Sequence, residues 1–227
     1  MKSILFTAIL SLLSFGAYSS TSPSYPPEGS VTEIKMSSLK AVEANGKVYF
    51  VSDNNRFFFD GKVMDLWNKK PLNTIEEIKY AASHINMDQL IPKDQQINEI
   101  VIGKGTQDVY AFVGPECSYC KIFAEKAANN STYRTHLIVI PSSGKKADVM
   151  AKALFCSKSK KNALKHYLNQ TLTEMVQLDN CDLSGYNATL IMSEVMVGVR
   201  AVPYFVAPDG RHGNTDYRKV FEWFKKL

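Results

Sequence analysis

Two cysteines in the run Cys117-Ser118-Tyr119-Cys120 constrain the fold of this chain more than any other feature. The run follows the apolar stretch 109–113 and precedes the amphipathic stretch 122–128, so it lies where a strand gives way to a helix. Two thiols separated by two residues at the start of a helix close a small disulfide ring whose first sulfur reacts easily. This placement indicates redox chemistry rather than structural cross-linking.

A zinc site is the alternative explanation of the same spacing. Structural zinc takes four nitrogen or sulfur ligands, which usually come as two close pairs. The remaining cysteines, Cys156 and Cys181, lie far apart in the sequence. The histidines are also distant from the run, at His84, His136, His166 and His212. The spacing therefore favours the redox interpretation, and we expect no metal and no cofactor.

Residues 1–20 predict export from the cytoplasm. They contain a basic Lys2, an apolar run at 4–15, and small residues at Ala17 and Ser19, a pattern typical of a cleavable signal peptide. The apolar run is shorter than the roughly 20 residues that span a bilayer. Export places the cysteines in an oxidising compartment, where disulfides persist. Because the signal lacks a lipidated cysteine, we expect the periplasm of a bacterium.

Composition excludes several classes of protein. The formal net charge is +5, and it falls to +4 when Lys2 is removed with the signal, so nothing indicates nucleic-acid binding. The lysine-rich stretch 158–165 is predicted to be the solvated face of a helix. Hydrophobic residues make up 45% of the chain and charged residues 22%, which indicates a folded globular protein rather than a disordered one.

The segment 21–72 predicts a small, mostly β domain. Residues 47–52, 56–60 and 63–67 form three candidate strands joined by turn residues, which together make a meander. Three strands give a thin core, so we expect this domain to pack against a second copy or another domain. Most of its aromatic side chains are expected in the core, with some left to line an interface or a substrate cleft: Tyr49, Phe50, Phe57, Phe58 and Phe59.

A helical linker is predicted at 73–95. Thr74 and Glu77 have the spacing of a capping box, and apolar residues recur three or four apart across 75–85. The polar stretch that follows contains Pro92, so the helix is expected to end near Leu90. The boundary between two domains is therefore placed close to residue 95.

The segment 96–227 alternates strands and helices, which indicates an α/β layer architecture. The predicted strands are 97–102, 109–113, 137–140 and 204–207. The predicted helices are 118–129, 147–155, 161–169, 186–195 and a last one that carries Phe221, Trp223 and Phe224. A C-x-x-C pair that opens a helix after the second strand predicts a thioredoxin-like fold with a helical insertion.

Several motifs together resemble the DsbC/DsbG type of periplasmic thiol:disulfide isomerase. The run A-F-V-G-P-E-C-S-Y-C at 111–120 is similar to the active-site segment of that family. The stretches 48–53 and 61–66 resemble its N-terminal dimerisation domain, which is cystatin-like. Residues 154–158 together with Cys181 resemble its second, structural cysteine pair, and 198–203 resembles the loop that carries a cis-proline. The resemblance covers nearly the whole chain after the signal.

The resemblance implies a role for each matched residue. Cys117 is the expected nucleophile and Cys120 the resolving thiol of a redox-active disulfide. Cys156 and Cys181 are the expected structural disulfide, with a second redox pair as the alternative. Ser118, Tyr119, Val202 and Pro203 are the expected substrate-binding residues. Without reference to the family, Cys117 lies nearer the helix N-terminus, where backbone N–H groups favour a thiolate. Glu116 would oppose that thiolate if it faced inward, and its orientation is left open.

The expected function is a homodimeric periplasmic enzyme that isomerises incorrect disulfides and binds its substrates in the manner of a chaperone. The implied partners are misfolded secreted proteins with disulfides and a membrane reductase of the DsbD type as electron donor. Val202 departs from the threonine that commonly precedes the family's cis-proline, and it is more similar to the DsbA oxidase branch. A dithiol oxidase is therefore an alternative, as are a non-catalytic holdase and a zinc-binding module.

Overall fold

The computed structural model describes residues 34–36, 39–91 and 94–226. The predicted signal peptide and most of the leader that follows it lie outside the described residues. Two main sheets organise the rest, one of four strands and one of five. Within the described ranges, no helix has the length and apolar character needed to cross a membrane.

The N-terminal sheet is antiparallel, and its four strands follow one another in chain order. They are β1 (Ile34–Met36), β2 (Leu39–Ala44), β3 (Lys47–Ser52) and β4 (Phe58–Phe59). The turn between β2 and β3 is formed by Asn45 and Gly46, both with positive φ angles of 52° and 72°. This is the backbone that a two-residue hairpin loop requires, and it explains the Asn-Gly pair.

The prediction of a third meander strand at 63–67 is wrong, both in the length of the strand and in the strand with which it pairs. Strand β5 (Val63–Asp65) pairs with β6 (Lys70–Leu72) as a separate two-stranded ribbon rather than extending the sheet. The side chain of Asp65 accepts hydrogen bonds from the backbone N–H groups of Trp67 and Asn68, at 3.0 and 3.1 Å. This Asx-type turn reverses the chain after Asp65 and stops the strand there.

The aromatic side chains of this region divide between core and surface. Tyr49 and Phe50 on β3 are buried, as expected, whereas Phe57, Phe58 and Phe59 are 53%, 36% and 50% exposed. The expectation that most of the five are in the core is therefore wrong. The physical reason is position, because β4 is an edge strand that pairs with β3, while the core of this region lies around Ala41, Phe50 and Leu72.

The predicted helical segment contains α1 (Ile75–Ser83) and α2 (Met87–Leu90). The capping box of α1 is confirmed. The N–H of Glu77 donates to Oγ1 of Thr74 at 3.2 Å, and the N–H of Thr74 donates to Oε2 of Glu77 at 3.1 Å. Both bonds satisfy backbone groups that a helix start leaves unpaired.

This segment contributes to both cores rather than serving only as a spacer. Ile75 and Ile78 pack with the buried residues of the N-terminal sheet. Ile85, Met87 and Leu90 belong to a core cluster of the C-terminal sheet instead. The apolar residues that predict one helix through residue 85 are therefore divided between two hydrophobic cores. The domain limits at 72 and 95 stay a prediction.

The C-terminal sheet has the strand order β11-β10-β8-β9-β7. Its strands are β7 (Glu99–Ile102), β8 (Gln107–Val113), β9 (Tyr133–Val139), β10 (Tyr204–Val206) and β11 (His212–Gly213). Strands β8 and β9 are parallel, and the other pairs are antiparallel. A parallel βαβ unit with an antiparallel hairpin added beside its first strand is the thioredoxin-like arrangement, as predicted.

Five helices accompany this sheet in the described part of the chain. They are α3 (Ser118–Ala128), α4 (Gly144–Phe155), α5 (Ala163–Asn169), α6 (Ser184–Ile191) and α7 (Val220–Phe224). A π-helical turn, Met192–Met196, continues α6. Helix α3 forms the crossover between β8 and β9, and helices α4 to α6 form the insertion before β10. The mixed α and β class predicted from the sequence is confirmed.

The lysine-rich stretch 158–165 is not one helix face. Helix α5 begins only at Ala163, and Asn162 before it has a left-handed φ of 65°. Lys160 turns inward, where its Nζ contacts the carbonyl oxygen of Leu154 near the end of α4. Burial lowers the pKa of Lys160 to about 8. The prediction of a solvated helical face is wrong because this lysine caps the C-terminus of α4.

Candidate active site

Cys117 and Cys120 form a disulfide at the N-terminus of α3, with their Cα atoms 5.2 Å apart. Cys117 is the N-cap residue and is partly exposed, whereas Cys120 is fully buried in the first turn. The backbone N–H of Cys120 points at Sγ of Cys117 over 3.1 Å. In the reduced protein this N–H and the helix dipole favour a thiolate at Cys117, the more accessible sulfur.

Two hydrogen bonds to the carbonyl oxygen of Gly114 fix the turn before the disulfide. The carbonyl oxygen of Gly114 accepts the N–H of Cys117 at 3.2 Å and the hydroxyl of Tyr167 on α5 at 3.0 Å. A Cβ atom at Gly114 would overlap the side chain of Ser142. A glycine therefore follows the last residue of β8, because the chain after β9 passes directly against this position.

The segment 201–203 forms the opposite wall of the site. The peptide bond between Val202 and Pro203 is cis. The carbonyl oxygen of Val202 lies 3.9 Å from Sγ of Cys117, so the main chain of this segment faces the reactive sulfur. A segment about 85 residues away in sequence is therefore brought against the C-x-x-C run.

The predicted site residues fall into two groups. Cys117, Cys120, Val202 and Pro203 meet at the disulfide, and Ser118 and Tyr119 project from the exposed first turn of α3 beside it. The second pair is separate from this site. Cys156, at the end of α4, is joined to Cys181 before α6, with Cα atoms 5.5 Å apart. The roles predicted for these residues remain predictions.

Two residues at the site were not singled out from the sequence. Tyr217 stacks on Tyr119, with ring centroids 5.1 Å apart. Asn214 donates hydrogen bonds to the carbonyl oxygens on both sides of Val202. Neither residue belongs to a motif with a chemical meaning. The composition of 214–216 indicates only a turn, so the sequence carries no signal that would have identified either residue as part of the site.

The orientation of Glu116, which the sequence left open, is toward a lysine. Its Oε1 lies 2.7 Å from Nζ of Lys146 on α4. Burial lowers the pKa of Lys121, one turn into α3, and the charge of Glu116 partly opposes this shift. The carboxylate next to the nucleophile is therefore held among cations, which weakens its repulsion of a thiolate.

Two cavities differ in their relation to the disulfide. A cavity of about 270 Å³ lies beside the segment 201–203 and is lined by Ser142, Glu194 and Arg200 among others. A larger cavity of about 500 Å³ lies at the opposite end of β8, near Asp108 and Asp209. Size does not identify the site, because Val202, whose carbonyl oxygen faces the reactive sulfur, lines the smaller cavity. Among the described residues, no group of three His, Cys, Asp or Glu side chains is arranged to hold a metal ion.

The fold and this dithiol site define the class of the thioredoxin-like thiol–disulfide oxidoreductases. The chain is similar to a disulfide interchange protein from Neisseria gonorrhoeae, with 20% identity and a TM-score of 0.41 over 57% of this chain and 94% of the other. It is also similar to DsbG from Helicobacter pylori, with 15% identity and a TM-score of 0.35 over 77% and 92%.

Both TM-scores are below 0.5, so the class depends on the strand order and on the site geometry of this chain. No protein-family model and no curated protein matches the sequence.

Proposed function

We propose that this protein is a periplasmic thiol:disulfide isomerase that reshuffles incorrect disulfides in secreted proteins. The single observation that supports this most is the asymmetry of the two sulfurs. Sγ of Cys117 is accessible, receives the N–H of Cys120 and faces the main chain of Val202, whereas Cys120 is buried. Such a pair has one sulfur placed for attack and one placed for release.

The reaction begins with the reduced enzyme. The thiolate of Cys117 attacks one sulfur of a substrate disulfide, forms a mixed disulfide, and the second substrate sulfur leaves as a thiolate. In isomerisation, a substrate thiolate then attacks the substrate sulfur of the mixed disulfide. A new substrate disulfide forms, Cys117 leaves as a thiolate, and no net electrons are transferred.

The buried Cys120 provides an exit from a trapped intermediate. Its thiolate attacks Sγ of Cys117, the Cys117–Cys120 disulfide forms, and the substrate leaves as a dithiol. The substrate has then gained two electrons and the enzyme has lost two. A dithiol reductant must return them, and a membrane reductase of the DsbD type is the proposed donor.

Homodimerisation and chaperone-like binding are parts of the same proposal. The exposed aromatic side chains on and before β4 supply apolar surface on a small domain with a thin core. A second copy of the chain is the proposed partner of this domain, and misfolded secreted proteins are the proposed substrates. Gel filtration with light scattering tests the oligomeric state, and a monomer at micromolar concentration contradicts this part of the proposal.

A dithiol oxidase is the second candidate, because valine rather than threonine precedes Pro203. Both candidates use the same two sulfurs, and they differ in whether the cell keeps the Cys117–Cys120 pair reduced or oxidised. Acid trapping of thiols in intact cells, followed by alkylation, measures that state. A mainly reduced Cys117–Cys120 pair supports the isomerase, and a mainly oxidised pair supports the oxidase.

Refolding of scrambled ribonuclease tests the activity itself. The reduced wild type is expected to restore ribonuclease activity, and the Cys117→Ala variant is expected to be inactive. The Cys120→Ala variant is expected to accumulate mixed disulfide, because the exit step is lost. Refolding by Cys117→Ala at the wild-type rate contradicts the proposal and favours a holdase.

A further inference from the structure

The loop after β11 holds the wall of the site that faces Cys117. Asn214 donates from Nδ2 to the carbonyl oxygen of Ala201 at 3.0 Å and to that of Pro203 at 2.8 Å. The two acceptors flank Val202, whose own carbonyl oxygen lies 3.9 Å from Sγ of Cys117. One side-chain amide therefore binds the two carbonyl oxygens on either side of Val202, whose carbonyl faces the reactive sulfur.

The same loop also touches the other wall. The ring of Tyr217 stacks on Tyr119 of the C-x-x-C run, with ring centroids 5.1 Å apart. Asp216 and Arg218, on either side of Tyr217 in the chain, form an ion pair: Oδ1 of Asp216 accepts the N–H of Arg218 at 3.0 Å, and the carboxylate binds the guanidinium. Asn214 thus connects this loop to the segment 201–203, and Tyr217 connects it to α3.

We propose that Asn214 is a positioning residue for disulfide exchange, and that it orients the Val202 main chain for an extended substrate segment. The inference rests on the proposed function. A substrate cysteine that reaches Cys117 must carry its own main chain past Val202, and free backbone groups there pair with an extended chain. With the carbonyls of Ala201 and Pro203 bound to Asn214, Val202 is left as the residue that offers its main chain to the substrate.

The role of Asn214 predicts a difference between large and small reaction partners. A peptide disulfide needs both the thiolate and the oriented wall, whereas iodoacetamide needs the thiolate alone. Replacement of the amide removes both bonds to the wall and leaves the contacts of Cys117 with Cys120 and Gly114 unchanged. The rate with the peptide is therefore expected to fall, and the rate with iodoacetamide is expected to stay.

The experiment measures both rates on the reduced protein. The probe is an extended peptide whose single cysteine is disulfide-bonded to a small fluorescent thiol. For Asn214→Leu, which is close to asparagine in shape, mixed-disulfide formation is expected to slow about tenfold, while alkylation of Cys117 stays within about twofold. Thr215→Val in the same loop is the matched control and is expected to keep both rates. Asn214→Gln, which keeps the donors, is expected to recover part of the peptide rate.

The outcomes separate this inference from the proposed function. If the wild type exchanges with the peptide and the exchange rate of Asn214→Leu is within about twofold of the wild-type rate, the positioning role alone is overturned. Equal losses in both rates also overturn it, since they indicate a general disturbance; Asn214→Asp provides an independent variant for the same comparison. A wild type that is alkylated at Cys117 but does not exchange with the peptide contradicts the proposed function and the role of Asn214 together.

Discussion

The hydroxyl group of Tyr167 donates a hydrogen bond of 3.0 Å to the carbonyl oxygen of Gly114, which also accepts the N–H of Cys117. Tyr167 lies on α5 and is fully buried. Burial raises its pKa, so the hydroxyl remains a donor throughout the physiological pH range. The helical insertion is thereby connected to the turn that carries the nucleophile.

Removal of this hydroxyl is expected to destabilise the protein by about 1 kcal/mol, the usual net worth of one buried hydrogen bond. Tyr167→Phe keeps the ring in place and deletes the donor alone. Urea denaturation of the oxidised protein measures the free energy of unfolding. Tyr80→Phe, at an exposed position of α1, is the control and is expected to change it by less than about 0.5 kcal/mol. Equal effects of the two variants would refute a structural role for the Tyr167 hydroxyl.

Gly114 is expected to tolerate no side chain while Ser142 is present. A Cβ atom there would lie 2.6 Å from Cβ of Ser142, which overpacks a buried site. Gly114→Ala is expected to destabilise the protein by about 1 to 3 kcal/mol and to slow disulfide exchange. The double variant Gly114→Ala with Ser142→Gly is expected to recover part of the loss. Additive effects in this double-mutant cycle would show that the two residues do not interact.

The thioredoxin-like half of the chain was predictable because its signals are local. The apolar runs of β8 and β9 and the C-x-x-C pair at the helix start each specify their own backbone, as the capping box at Thr74 does in the segment that precedes this half. Contacts between distant elements leave no such trace. The strands on either side of Gly103 are adjacent in sequence, yet β9 lies between them in the sheet.

Three features of the structure could not be predicted from the sequence, each for a physical reason. Asn214 meets the segment 201–203 because β10 and β11 form a hairpin, and nothing in an Asn-Thr-Asp turn predicts its acceptors. Glu116 acquires a partner from α4, whose position depends on packing. Phe57, Phe58 and Phe59 are exposed because β4 is an edge strand of its sheet, and a run of three phenylalanines has no alternation from which that position could be predicted.

The Cys156–Cys181 disulfide is expected to stabilise the protein without taking part in exchange. It closes a loop of 25 residues, for which chain entropy predicts about 3 kcal/mol. The variant with both residues changed to alanine is expected to lose that amount in urea denaturation and to retain its reaction with a peptide disulfide below the transition. If the folded variant loses its exchange reaction, the Cys156–Cys181 pair has a redox role.

The ion pair of Glu116 and Lys146 is expected to adjust the reactivity of Cys117 modestly. Glu116→Gln removes a negative charge beside the nucleophile and is expected to accelerate its alkylation near neutral pH by about two- to threefold. Lys146→Gln is the matched opposite change and is expected to slow the reaction. Both effects should shrink at high salt, because Lys146 is largely exposed. Alkylation rates measured against pH for the reduced proteins check this, and changes of the same sign in both variants would contradict it.

A histidine bound between two carboxylates lies on the face of the C-terminal sheet. Nδ1 of His136 on β9 is 2.7 Å from Oε2 of Glu99, and its Nε2 is 3.0 Å from Oδ1 of Asp108. Arg134 binds the same Asp108, and the ring of Tyr110 stacks on the imidazole at 4.7 Å. Burial alone would lower the pKa of His136, but the hydrogen bonds and charges of Glu99 and Asp108 outweigh it, so the pKa is raised.

A raised pKa in the folded state makes the protonated histidine the stabilising form. Its contribution is complete below the unfolded value of about 6.5 and is lost as the pH rises through the folded value. The difference in unfolding free energy between wild type and His136→Asn is therefore expected to be larger near pH 6 than near pH 8. Tyr167→Phe is the control, because burial raises the pKa of the Tyr167 hydroxyl and keeps it protonated at both pH values, so its difference should be similar at both. Urea denaturation at the two pH values decides the matter, since a difference for His136→Asn that grows toward pH 8 would mean that the buried imidazole is neutral in the folded protein.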